Sequence, residues 1–204
     1  MLGDIGELLL PRKCAGCGVP GPLLCATCRM ELAYPPQRVF PNTTPMVPVF
    51  ALGAYAGAHR GVVLAMQERN HLAVRRHVGA VLNAGLDYLE ARGDIAVGVV
   101  VPAPTKVSSA RARGGDPVEA ICRATQRSVT PALLLDASAA DQSNLDESSR
   151  RANLSGAVRL AAIPAGPVVL IDDVVTTGAT LQASVSVLLA HGVDVSACVT
   201  VCAA

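Results

Sequence analysis

Val168-Val169-Leu170-Ile171-Asp172-Asp173-Val174-Val175-Thr176-Thr177-Gly178-Ala179-Thr180 decides the fold of this chain. Four apolar residues run into two adjacent carboxylates. A run without polar alternation suits a buried parallel strand better than a half-exposed one. Asp172 and Asp173 then fall at its carboxyl end, where open α/β sheets bind ligands. A small-residue loop follows, and a helix is predicted over 177–190, stopped by His191-Gly192. Thr176, Thr177, Gly178, Ala179 and Thr180 offer hydroxyls and backbone N–H groups at that helix start. Such N–H groups have no helical partner, and the helix dipole favours an anion there. Two carboxylates beside the loop would repel an anion unless they face another part of the same ligand. The expected ligand therefore carries a phosphate at one end and a sugar diol or a divalent metal at the other. The plainer alternative is a buried strand with an acidic turn and a Thr cap. A plain turn does not need so specific a string.

Cys14-Ala15-Gly16-Cys17 and Cys25-Ala26-Thr27-Cys28 form two close Cys-x-x-Cys knuckles. Cys14, Cys17, Cys25 and Cys28 can supply four thiolates to one tetrahedral zinc, leaving no open position, so the zinc is expected to be structural. Disulfides are the alternative. The opening Met1-Leu2-Gly3-Asp4-Ile5-Gly6-Glu7 has no basic start and no long apolar stretch, unlike a signal peptide. A cytoplasmic protein with reduced thiols is therefore expected, which favours zinc. Cys122, Cys198 and Cys202 are scattered and suit core packing.

The 204 residues suffice for one ordinary domain and a small appended module. Half are apolar, mostly Ala, Val and Leu, and only 2% are aromatic, so the core must be aliphatic. The shortage of aromatic platforms argues against single-stranded nucleic-acid binding. A net charge of +1 argues against broad electrostatic attraction to DNA or anionic membrane. No apolar run reaches the ~18 residues of a membrane span.

Residues 1–33 read as the cysteine module, with a turn or two of apolar helix over 4–10. Five prolines within 34–48 predict an extended linker and a domain boundary. Residues 49–204 read as the main domain. Its elements are a strand over 49–55, a helix over 57–69 and a clearer helix over 74–91, on Val74, Val78, Val81, Leu82, Leu86 and Leu89. A strand over 95–101 follows. Asp116 caps a helix to about residue 127, with Pro117 in its first position. Strands are expected over 129–135, weakened by Pro131, over 156–160, and over 193–201. Alternation of strands and helices implies an α/β fold with a mostly parallel sheet and flanking helices.

Two further segments carry polar chemistry. The loop after Val101-Pro102-Ala103-Pro104 holds Lys106, Arg111 and Arg113 among small residues. Arginine forks match phosphate oxygens, so this loop could close over a pyrophosphate; a solvated loop is the alternative. Gln142, Leu145, Arg150 and Asn153 read on their own as a surface loop. The basic cluster Arg69, His71, Arg75, Arg76 and His77 reads as a solvated helix face, with DNA contact the lesser alternative.

Residues 168–180 closely resemble the phosphoribosyl-pyrophosphate (PRPP) loop of type I phosphoribosyltransferases. The resemblance implies that Asp172 and Asp173 bind the ribose hydroxyls with magnesium nearby, and that Thr176, Thr177, Gly178, Ala179 and Thr180 wrap the 5′-phosphate. The whole order resembles the ComF/GntX family: paired knuckles, Tyr55-x-Gly57-x-x-Arg60, Val-Pro-Ala-Pro, Arg111-x-Arg113-Gly114, Gln142-x-x-Leu145 with Arg150 and Asn153, then the PRPP loop. That family joins an N-terminal zinc ribbon to a type I phosphoribosyltransferase domain, and some members are tied to DNA uptake. The implied fold is a type I phosphoribosyltransferase-like sheet plus a small zinc ribbon, with 49–91 as the hood. Two departures stand out. Gln67 occupies a position where many members carry Lys, and Gly115-Asp116-Pro117 replaces a Phe-Asn-Gln run.

The function implied is a phosphoribosyltransferase that binds magnesium and PRPP and transfers phosphoribosyl to or from a nitrogenous base that the residues do not specify. Asp172, Asp173, Arg111 and Arg113 are its expected catalytic residues, with Lys106 and the Thr loop binding the phosphates. Two alternatives stand beside it. One is a non-catalytic adaptor sensing PRPP or a nucleotide, whose zinc ribbon contacts DNA or a competence or repair protein. The other is a structural accessory of DNA uptake or repair with a relic loop.

Overall fold

The computed structural model describes residues 13–67, 72–105, 110–111, 114–135 and 157–204. Five helices and seven strands lie among them. In chain order they are α1 (Ala26–Leu32), β1 (Gln37–Val39), β2 (Val49–Ala51), α2 (Gly57–Gln67), α3 (Leu72–Ala91), β3 (Val99–Pro102), α4 (Pro117–Ala124), β4 (Leu133–Leu135), β5 (Val158–Leu160), β6 (Val168–Val175), α5 (Ala179–Ala190) and β7 (Val195–Ala203). The fold is mixed α/β.

A five-stranded sheet in the order β1-β2-β7-β6-β3 forms the middle layer. The pairs β2/β7, β7/β6 and β6/β3 are parallel, and only β1 runs antiparallel to its neighbour. The apolar runs of β6 and β7 fit central positions, because both faces of a parallel sheet are covered. Alternate side chains feed two cores. Val169 and Ile171 of β6 join α2, α3, α4 and the cysteine module. Val168 and Leu170 meet Leu181, Val185 and Leu188 of α5 on the other face.

The helical spacing in α3 buries one stripe as expected: Val74, Val78, Leu82, Leu86 and Leu89 are each at most 1% exposed. Asp116 caps α4 as predicted, accepting from the N–H groups of Val118 at 2.8 Å and Glu119 at 3.2 Å, with Pro117 at its start. This helix stops at Ala124, three residues before the expected end, because the buried Thr125 hydroxyl turns back to the Cys122 carbonyl at 2.6 Å. Cys122, Cys198 and Cys202 are buried free thiols, as expected.

Several expectations need correcting. The proline-rich stretch is not helical, but Gln37–Val39 within it forms the sheet's antiparallel edge strand. The region expected as one strand over 129–135 divides. Val129 makes a single parallel bridge to Val100, covering the outer side of β3, and β4 begins only at Leu133. Pro131 lies at the break, where it removes a ladder donor. β4 then pairs antiparallel with β5 in a separate two-stranded sheet.

Candidate functional site

The geometry of the acidic pair follows from where β3 ends. Ladder pairing between β3 and β6 stops at Pro102 opposite Ile171, and the Ala103 N–H makes a last bond to the Ile171 carbonyl at 2.7 Å. β6 continues to Val175 against β7 alone. Asp172 and Asp173 therefore lie within the strand, one and two residues past the last β3 partner, rather than in a turn after it. Their side chains alternate across the sheet, Asp172 lining the recess of the following loop and Asp173 meeting Gln67 of α2. Both are half-buried. Asp172 Oδ1 accepts the Asp173 N–H at 2.9 Å. Burial first, and the neighbouring Asp173 charge second, raise the Asp172 carboxyl well above the ordinary range, with Asp116 adding in the same direction. Carboxylates crowded this way are relieved by a cation or by hydroxyl donors.

The loop that follows is built for close approach. Helix α5 begins at Ala179, two residues later than predicted, so Thr176, Thr177 and Gly178 stay in the loop. Gly178 caps α5 in the left-handed region, at φ 85 and ψ 0. The Thr177 hydroxyl accepts the Ala179 N–H at 3.4 Å. A shallow recess of about 30 Å³ is lined by Asp172, the loop and Thr180. The recess thus brings Asp172 together with Thr176 to Thr180, and Asp173 is not among its lining residues.

An unpredicted strap supports this loop. The Thr43 N–H donates to the Thr177 carbonyl at 2.7 Å. A Cβ on Gly178 would overlap the Thr43 carbonyl and approach Pro41 within 2.9 Å. Glycine is thus required twice there, for its φ and for its missing side chain. The proline-rich stretch carried a signal for extended backbone but none for its contact.

Gln67, noted as a departure, ends α2 and donates its amide to Asp173 Oδ2. Arg111 is exposed, whereas Lys106 and Arg113 lie outside the described residues. Gln142, Leu145, Arg150, Asn153, Arg69 and His71 lie outside them as well. Arg76 and His77 are exposed, as a solvated face requires. Arg75 corrects that reading: it is buried, and its guanidinium donates to the Met66 carbonyl at 3.4 Å near the end of α2. Cationic side chains at a helix C-terminus complement its free carbonyls, a signal the cluster's sequence did not separate from its neighbours. Tyr55 and Arg60 of the Tyr-x-Gly-x-x-Arg string meet, with the guanidinium 5.8 Å from the ring centre.

The four cysteines converge as predicted. The sulfurs of Cys14, Cys17, Cys25 and Cys28 all lie within 4.8 Å of one another. Zinc–sulfur bonds of about 2.3 Å place tetrahedral thiolates about 3.8 Å apart. Cys17 and Cys25 stand at 3.8 Å, too far for a disulfide. The Cys25 N–H points at Cys14 Sγ from 3.3 Å, the outer contact that steadies a metal-bound thiolate. Burial opposes ionisation of Cys14, but the N–H groups of Cys25, Cys17 and Gly16 outweigh it and bring the thiol down to about 6. Burial and the neighbouring sulfurs push Cys28 up. A divalent cation reverses that push, because coordination deprotonates a thiol. The donor set fits a structural metal ion such as zinc.

No helix among the described residues is long and apolar enough to cross a membrane. Comparison of the sequence with protein-family models and with curated proteins finds no match.

Proposed function

We propose that this protein binds magnesium–PRPP over β6 and the Thr loop and acts as a phosphoribosyltransferase of the ComF/GntX kind, with a structural zinc in its N-terminal ribbon. The observation that carries this reading is the direct succession of the Asp172/Asp173 pair, on the stretch of β6 beyond its β3 partner, and the left-handed Gly178 loop at the start of α5. Asp172 and Asp173 accept the ribose 2′- and 3′-hydroxyls. The backbone N–H groups and hydroxyls from Thr176 to Thr180 hold the 5′-phosphate. Magnesium, when bound, neutralises charge on the pyrophosphate. The exposed Arg111 is the described candidate for binding that leaving group, and the sequence offers Lys106 and Arg113 for the same role. The C1–oxygen bond breaks with its electron pair leaving on pyrophosphate, and a nitrogen of the base bonds to the opposite face of C1. The chain contributes chiefly by positioning and by stabilising charge.

Calorimetric titration of PRPP, with and without magnesium, into zinc-loaded protein tests this. Binding should require the metal and disappear in the Asp172→Asn/Asp173→Asn variant. Unchanged affinity in that variant would remove the assignment, and pyrophosphate release with a base would establish turnover.

The exposed apolar side chains of Val19, Met30 and Tyr34, in and beside the cysteine module, favour a second reading. In it the protein is an adaptor that senses PRPP or a nucleotide and presents this face to a protein partner, in DNA uptake or repair. Retained PRPP binding without turnover toward any base, together with partner capture that Met30→Ser abolishes, would decide for it.

A further inference from the structure

Helix α2 touches the cysteine module at its start and the acidic pair at its end. At the start, the Ala58 N–H donates to Glu31 Oε1 at 2.8 Å. Ala56 and Gly57 offer no capping side chain, so a residue of α1 satisfies a helix end that the local sequence leaves open. Glu31 is tied to the sulfurs through its own short helix, which begins after Cys25 and carries Cys28. Within the next turn, Gly61 lies on the backbone of Gly16, inside the first knuckle, where any Cβ would overlap the Gly16 carbonyl. A Cβ on Gly16 would in turn stand 2.6 Å from Cys28 Sγ and 3.3 Å from Ala58 Cβ. The knuckle is therefore wedged between the sulfurs and α2.

At the far end, Gln67 donates to Asp173 Oδ2. Between the two ends, Val62, Val63, Ala65 and Met66 are fully buried. A close-packed helix of this kind shifts as a unit rather than bending. An 11-residue helix spans roughly 16 Å, so displacement at the knuckle reaches the carboxylate through one rigid element.

We infer that Gln67 is a positioning residue for Asp173, and that the metal-loaded cysteine module holds it in place through α2. This rests on the reading of Asp172 and Asp173 as the ligand-binding pair. A neutral amide donor orients the carboxylate without cancelling its charge, so Asp173 keeps its attraction for a cation while its orientation is fixed. Loss of the metal would loosen the knuckle, release both the Glu31 cap and the Gly16–Gly61 seat, and free Gln67 from Asp173.

The test follows the side-chain amide of Gln67 by NMR in the full-length, zinc-loaded protein. The resonance is assigned by its loss in Gln67→Leu. It should move in Asp173→Asn, and also in Glu31→Ala with zinc still bound, whereas Glu31→Gln, which keeps an acceptor oxygen, should leave it in place. Glu31→Asp, one methylene short, replaces the alanine variant if that one does not fold. Calorimetry with magnesium–PRPP supplies the second arm. Glu31→Ala and Gln67→Leu should each weaken binding about tenfold, and the double variant no further than Gln67→Leu alone. A resonance unmoved in Glu31→Ala, or two effects that add in full, would overturn the inference. Absence of magnesium–PRPP binding to the unaltered protein would instead remove the function proposed above, and the NMR arm would still decide whether α2 links Glu31 to the Gln67–Asp173 contact.

Discussion

Asp172 carries a conflict between stability and ligand binding. Burial and Asp173 raise its carboxyl above the ordinary range, so the folded chain disfavours its charged form. The sign follows from linkage. A group raised on folding contributes stability that is complete below its unfolded value and is lost as pH rises through its folded value. Asp172→Asn should therefore be more stable than the parent at pH 8, by urea unfolding, and the difference should close as pH falls into the ordinary carboxylate range. A parent that is the more stable at pH 8 would contradict the burial argument. Gly178 permits a second prediction at this scale. Gly178→Ala would force a side chain into the left-handed region, at about 1–2 kcal/mol, and against residues 41–43 as well. It should lose PRPP binding and unfold at lower urea. The placement of Asp172 and Asp173 at the end of a buried strand and of Gly178 before a helix was legible because those signals are local. Gln67, Glu31 and Arg75 were not legible as contacts, since their partners lie on other elements and no pattern in their own neighbourhoods names those partners.

At the scale of elements, boundaries were read well where a local sequence signal marks them and less well elsewhere. Asp116-Pro117 announces α4 by its own side chains, and Asp116→Ala should cost about 1 kcal/mol in thermal or urea unfolding. The end of α4 is set by Thr125, whose back-bond competes with the helix, and the pattern beyond it still looked helical. β6 proved longer than its apolar run because β7 pairs with it through the acidic pair, a continuation that hydrophobicity alone does not signal. β1 was hidden among prolines. A proline-flanked strand is tolerated at an antiparallel edge, where one side of the ladder is unpaired. The α2–knuckle seam yields its own prediction: Gly61→Ala should lose roughly 1–3 kcal/mol, since the obstructing atom is backbone and cannot turn aside.

At the scale of the molecule, the mostly parallel sheet was legible from the alternation of apolar runs and helical stripes, and the convergence of the four cysteines from their spacing. The way the parts are joined was not. Cys14, Leu24, Cys28 and Leu32 of the cysteine module share one core with α2 and α3. Metal should therefore contribute to the stability of more than the knuckles. Stripping it with a strong chelator should lower the melting temperature of the whole chain in a single transition. A main transition left unmoved would show instead that the sheet holds without the module.

The contact of residues 41–43 with the Thr loop bears on portability. A motif written in consecutive residues invites transplantation, yet part of what shapes this one is supplied by residues 41–43, far away along the chain. A synthetic 168–180 peptide, or the same residues grafted onto another strand–helix junction, should bind no PRPP detectable by calorimetry. The graft should recover only when a backbone donor is provided where Thr43 stands, and the transferable unit is then two segments rather than one string.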